Sequence, residues 1–168
     1  NLPFGSSGIG TIPHISMVAL QRTLGIRMVH VPFRGGGEVM LAFQQGVLAL
    51  FSDVPAAVRQ HDLHVIATFT PERVPEFPEA PTLRELGHDL GFFIWQGFFA
   101  PKGTPDAVLD RLEAACEAVL KRPAVVEGLA RIVTPVRWRN RRDLAAFLAA
   151  ESAKYRDLIE AAGLRQAE

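Results

Sequence analysis

The chain has 168 residues, of which 48% are hydrophobic, and its 18 lysines and arginines balance 18 aspartates and glutamates. That length can bury one substantial core or two modest ones, and the zero net charge supplies no argument for nucleic-acid or membrane-surface binding. A single cysteine, Cys116, excludes an intramolecular disulfide and a cysteine-rich zinc site; no window reaches the roughly 20 apolar residues that span a bilayer.

In chain order, the first half alternates short strands with helices, the pattern of a parallel sheet built from crossover units. Strands are expected near 2–5, 27–32, 47–51 and 63–69. The first helix starts with Thr11 as N-cap and Pro13 early, turns Ile15, Val18 and Ala19 inward and stops at Gly25. A second runs from about Gly37 to Gly46, and a third begins at Asp53-Val54-Pro55 with Asp53 as its N-cap. Residues 70–81 (TPERVPEFPEAP) are too rich in proline for long regular structure, and Thr82 to Glu85 spells a capping box for a short helix ending at Gly87. Residues 91–101 (GFFIWQGFFAP) carry aromatic residues on both alternation phases, which predicts a strand covered on both faces. Helices follow from Thr104-Pro105-Asp106, over 123–132 and from about Arg141 to Ala162, closed by Gly163. In the first of these, Leu109, Leu112, Ala115, Cys116 and Val119 make one apolar stripe.

Chemistry concentrates where strands give way to helices. Gly5-Ser6-Ser7-Gly8-Ile9-Gly10-Thr11, followed by Pro13 and His14, joins the first strand to the first helix. The first turn of a helix carries unpaired N–H groups and the positive end of its dipole, so a carboxylate or phosphate there meets several donors at once. Val31 to Gly37 (VPFRGGG) forms a second such joint, which places Ser6, Ser7, Gly8, Gly10, Thr11 and His14 at one mouth and Phe33, Arg34 and Gly35 at the next. Asp53 stands at a third mouth on the same sheet edge, within reach of a ligand hydroxyl or amine. The two glycine-rich mouths predict a shared cleft.

Other chemistries fit less well. The glycines at 5, 8 and 10 lack the spacing of the dinucleotide fingerprint, and no Gly-Lys-Ser/Thr or GxSxG follows them. An NADP-type oxidoreductase survives as an alternative only through Arg34, which could meet a 2′-phosphate. His61 and His64 lack a third convergent metal ligand, His30 reads as a satisfied core or interface histidine, and Arg137 to Arg142 (RWRNRR) as a solvent-facing stretch. Neither a metal nor a cofactor is called for.

Taken together, GSSGIG with His14, HVPFRGGG at 30–37, FSDVPAA at 51–57, PEFPEAPTLRELG at 75–87 and WQGFFAPKGTPDAVLDRL at 95–112 resemble the Bug/TctC family, the periplasmic solute-binding proteins of tripartite tricarboxylate transporters. The resemblance covers nearly the whole chain. It implies an α/β fold of the type II periplasmic-binding-protein class, with one complete parallel-sheet lobe and part of a second: residues 1–95 as the second lobe, and 96–168 as the crossover strand and helices of the first. It further implies a non-enzymatic receptor for a small carboxylate, periplasmic and delivering to two membrane subunits, without a cofactor. Against the family pattern, roughly a hundred residues and an export signal are expected ahead of Asn1, so a separate N-terminal segment or self-association is expected to cover the C-terminal helices. A truncated family member that binds no solute is the further alternative. Phe33 stands where the family usually has tyrosine, Ser52-Asp53 where it more often has Asp-Asn, and QQGVL where it has GGQVD.

Overall fold

The computed structural model describes residues 2–161, 163 and 164. The elements run β1 (Leu2–Ser6), α1 (Ile12–Leu24), β2 (Met28–Pro32), α2 (Gly36–Gln44), β3 (Leu50–Phe51), α3 (Pro55–Gln60), α4 (Asp106–Leu120), α5 (Pro123–Arg131) and α6 (Arg141–Ala161). They belong to two compact units, one reaching to Ile94 and including the end of α6 from Tyr155, the other running from Trp95 to Lys154.

The first unit is organised by a parallel sheet of order β2-β1-β3. Leu2 pairs with Met28 and Ser6 with Pro32 on one side of β1, while Phe4 pairs with Leu50 on the other. Side chains alternate across a strand, so Phe4 and Ser6 meet α1 and Gly5 meets α2. Two apolar clusters result, on opposite faces. Ile15 and Ala19 of α1 pack with Phe92, against Phe69, Leu90, Tyr155, Leu158 and Ile159; Val39 and Ala42 of α2 pack with Leu48, against Val31, Phe33, Phe43 and Phe51.

Helix ends follow the glycines. At Gly25, in the left-handed region with φ 65°, the N–H donates to the Arg22 carbonyl and the next N–H, of Ile26, to Gln21. This paired bonding closes α1 as a Schellman motif, and Gly46, Gly87 and Gly163 stand in the same bonding pattern. The capping box also forms: the Glu85 N–H donates to Thr82 Oγ1 over 3.1 Å and the Thr82 N–H to Glu85 Oε2 over 2.8 Å. It closes a turn rather than an α-helix, since residues 83–87 are hydrogen-bonded turns.

Three expectations are corrected. Residues 63–69 make no strand; their only pairing among the described residues is a single bridge from Thr68 to Thr82, and Ile66 is 71% exposed. The reason is that a strand exists only with an edge to pair with, and no neighbouring ladder reaches this segment. Residues 91–101 are likewise irregular: Phe92 is buried against α1, but Phe98 is 86% and Phe99 67% exposed, so the run is not covered on both faces. Asp53 is not the N-cap of α3: Val54 is, and Asp53 Oδ1 instead accepts the Val54 N–H over 2.8 Å.

In the second unit, α4 and α5 bury no residue fully, and Leu112 and Val119 of the α4 stripe remain exposed. Arg141 at the head of α6 holds Glu113 over 2.9 Å, Asp106 over 3.4 Å and Asp110, all on α4. Arg139 lies over the Phe147 ring, 4.3 Å from its centre. Two of the four arginines in the basic run, Arg139 and Arg141, thus make contacts inside the unit, and Arg137, Arg141 and Arg142 are exposed.

Candidate functional site

Because β1 and β2 are parallel neighbours, the loops leaving their C-terminal ends must emerge on the same sheet edge. They do more than share the edge. The Phe33 N–H donates to the Ser6 carbonyl over 2.9 Å, and a Cβ on Gly8 would lie 3.8 Å from the Phe33 carbonyl oxygen. Asp53, leaving β3, brings its Oδ2 to 3.3 Å from where a Cβ on Gly36 would stand, so the third mouth adjoins the second. Ser16 of α1 lies 3.4 Å from the hydroxyl of Ser52.

The glycine loop is held from within. Ser6 Oγ donates to the Gly8 carbonyl over 3.1 Å, the Gly8 N–H returns to Ser6 Oγ over 3.3 Å, and Thr11 Oγ1 donates to the Gly8 carbonyl over 2.7 Å. This closed arrangement requires Gly8 at φ +137° and Gly10 at φ +79°, conformations that L side chains rarely adopt. The Gly10 N–H donates to Nδ1 of His14 over 3.1 Å, and Ser6 Oγ meets Nε2 of His30 at 2.6 Å. The two imidazoles stack on one another with centres 3.9 Å apart, and Phe4 stacks on His30 at 4.9 Å.

Several residues singled out in the sequence thus spend their polar groups on the loop itself. Ser6 is fully buried and His14 is 5% exposed. Arg34 is exposed, and its backbone N–H donates to Glu38 Oε2 over 3.0 Å. Ser7, Gly8 and Gly35 are half-buried and Gly10 is exposed. The donors left without an intrahelical acceptor are those of the first helical turns, Ile12 and His14 on α1 and Gly36, Gly37 and Glu38 on α2. Proline at the second helical position of α1 removes one competing N–H without loss.

His30 is the residue that sequence reading left out of the site. Its place opposite Phe4 in the β1–β2 register was the available signal, since that register stacks it beside the serine two residues further along. Burial lowers the pKa of both imidazoles, and that of His30 falls from 6.5 to about 4 through burial and then the neighbouring His14 charge. Both shifts favour the neutral ring.

Comparison with known proteins places this geometry. Residues 1–164 match the family model of the tripartite tricarboxylate transporter family receptor. A UPF0065 protein of Bordetella pertussis is 33% identical over 98% of this chain and 52% of its own length; the chain spans about half the length of the curated relatives it matches. The solved structure of periplasmic binding protein BugD superposes with a TM-score of 0.78 at 26% identity, over 99% of this chain and 58% of that one. MatC from Rhodopseudomonas palustris, solved with bound malate, gives 0.77 at 28% identity, over 95% and 57%. The α/β fold with its parallel sheet is part of the periplasmic-binding-protein fold, and the chain belongs to the TctC family of tripartite tricarboxylate transporter receptors.

Proposed function

We propose that this chain carries one half of a periplasmic receptor that captures a small carboxylate at the shared mouth of β1 and β2 and hands it to the membrane subunits of a tripartite transporter. The observation that supports this most directly is the Phe33-to-Ser6 hydrogen bond, which brings two helix N-termini to one spot on the sheet edge. An anion there is met by the N–H groups of the first turns of α1 and α2 and by the exposed faces of Ser7, Thr11 and Gly35. Arg34 adds a cation at the rim. Ser6, Gly8, Gly10 and His14 shape the loop, and the Phe33 carbonyl borders it.

Asp53 gives the site a second polarity. Its carboxylate beside Gly36 accepts from a ligand hydroxyl or amine, while an unsubstituted carboxylate gains nothing from it. A relative solved with malate, a hydroxy-dicarboxylate, fits that division of labour. In this reading residues 1–95 supply one lobe and closure of the other over the shelf completes capture by population shift.

A thermal-shift screen of malate, succinate, citrate, glutamate and benzoate, with NADP as a control, tests the proposal on this chain and on a version extended at its N-terminus. Selective binding raises the apparent stability by mass action. Stabilisation by a carboxylate supports the receptor reading, and stabilisation by NADP alone overturns it.

A further inference from the structure

Two histidines from different elements hold the two ends of one glycine loop. His14, on α1, accepts the Gly10 N–H at Nδ1. His30, on β2, meets Ser6 Oγ at Nε2. With the Ser6 proton on the Gly8 carbonyl, Ser6 accepts from an Nε2–H of His30; with that proton directed at His30, Nε2 is bare, and in either tautomer the 2.6 Å contact ties the ring to the loop. For His14 the requirement is stricter. A ring nitrogen can accept an N–H only when it is bare, so Nδ1 must be unprotonated and a neutral His14 carries its proton on Nε2. Protonation of Nδ1 would set two N–H donors facing each other across 3.1 Å.

We propose that His14 and His30 are positioning residues that hold the Gly5–Thr11 loop in its anion-accepting shape, and that this hold is released when His14 gains a proton. The inference rests on the proposed carboxylate site. It differs from the simplest expectation for a histidine beside an anion, which is that acid strengthens binding by adding positive charge; here acid weakens it by breaking the loop.

The surroundings give a proton little help. Phe4, Ser6, Gly8 and Gly10, from β1 and the loop, carry no ionisable side chains. The ionisable groups of the elements around them are Arg22 on α1, Arg34 after β2, Glu38 on α2, Asp53 after β3, and Arg156, Asp157 and Glu160 on the end of α6 that packs against α1. Among the described residues none of these supplies a counter-charge to either imidazole; the one charge acting on His30 is that of His14, which opposes it. Rings 3.9 Å apart cannot both be charged at small cost.

The test uses malate as probe and two variants. His14→Asn keeps an acceptor at the position of Nδ1 but does not titrate; His14→Phe keeps a ring in the stack but accepts nothing. Calorimetry from pH 7.5 to 5 should show wild-type affinity for malate falling relative to His14→Asn, whose profile cancels the titration of malate itself. His14→Phe should bind about tenfold more weakly than wild type at pH 7.5, the size of one lost hydrogen bond, with a flat ratio to His14→Asn. In parallel, NMR of ¹⁵N-labelled protein without ligand should show the Gly10 amide losing its bonded shift in step with His14 ring protonation. Wild-type affinity that tracks His14→Asn, or rises above it in acid, overturns the proposal, as does a Gly10 amide indifferent to His14. If malate and the other carboxylates fail to bind at every pH, the receptor reading falls, while the Gly10 amide still decides whether the histidines hold the loop.

Discussion

Leu48 places its Cδ1 methyl where a side chain on Gly5 would have to stand, and Val39 Cγ1 is 3.0 Å from the same point. The central strand is therefore glycine at this position because α2 and the chain entering β3 close onto it. Gly5→Ala should cost about 1–3 kcal/mol, the range for forcing a methyl into a filled core. Urea unfolding followed by circular dichroism reads this directly, and an unchanged midpoint would show that Leu48 moves aside freely.

Gly8 presents the opposite situation, with space but the wrong backbone. At φ +137° a valine is strained by about 1–3 kcal/mol, and the loop is the part free to relax. Gly8→Val should abolish carboxylate binding in calorimetry while leaving the far-ultraviolet circular dichroism close to wild type. Unchanged affinity would remove the glycine loop from the site.

Asp53 should govern choice between ligands rather than affinity as such. Asp53→Ala should narrow any preference for malate over succinate by about fivefold, the worth of one hydrogen bond of ~1 kcal/mol. Equal loss for both ligands would show that the carboxylate serves only to bind the Val54 N–H.

Both stacked histidines have folded pKa values below the unfolded 6.5, so the unfolded chain binds more protons through that interval. Their contribution is complete above about pH 6.5 and is lost as the pH falls toward about 4, the value for His30. Urea midpoints across this window should fall for the wild type and fall less for His30→Gln. Parallel curves would mean that the acid sensitivity lies in other groups.

The segment beyond Ile94 exposes Phe98 and Phe99 strongly, with Leu112, Val119, Val126 and Ile132 also exposed. Monomers in water avoid apolar surface of this extent. Light scattering on the 168-residue chain should therefore report self-association, relieved when an N-terminally extended version is used. A stable, monodisperse monomer would contradict this.

What could be read in the sequence follows from how local each signal is. Gly25 and Gly46 stop helices through bonds confined to the last turn, and Thr82 with Glu85 cap each other across three residues. Those were legible. The aromatic run at 91–101 states a need for cover without naming the covering surface, and the strand reading failed on that point. The segment LHVIATF at 63–69 has strand-forming residues but only Thr68 finds a partner. In the site, the two mouths were legible from strand-to-helix joints, whereas the tie between Ser6 and His30 depends on the register of two strands separated by a helix. Composition carries no trace of that.

Strand β1 sits between partners that both arrive later in the chain, each after a complete helix. Among the described residues it pairs with no adjacent hairpin strand, so this ladder begins only when α1 has returned the chain to Met28 and finishes only when α2 has returned it to Leu50. Loop closure must be met before either pairing is rewarded, which slows such sheets. The glycine loop is thus made before it can be shaped, since the His30 that steadies Ser6 and the Phe33 amide that fixes its carbonyl both wait for β2 to dock.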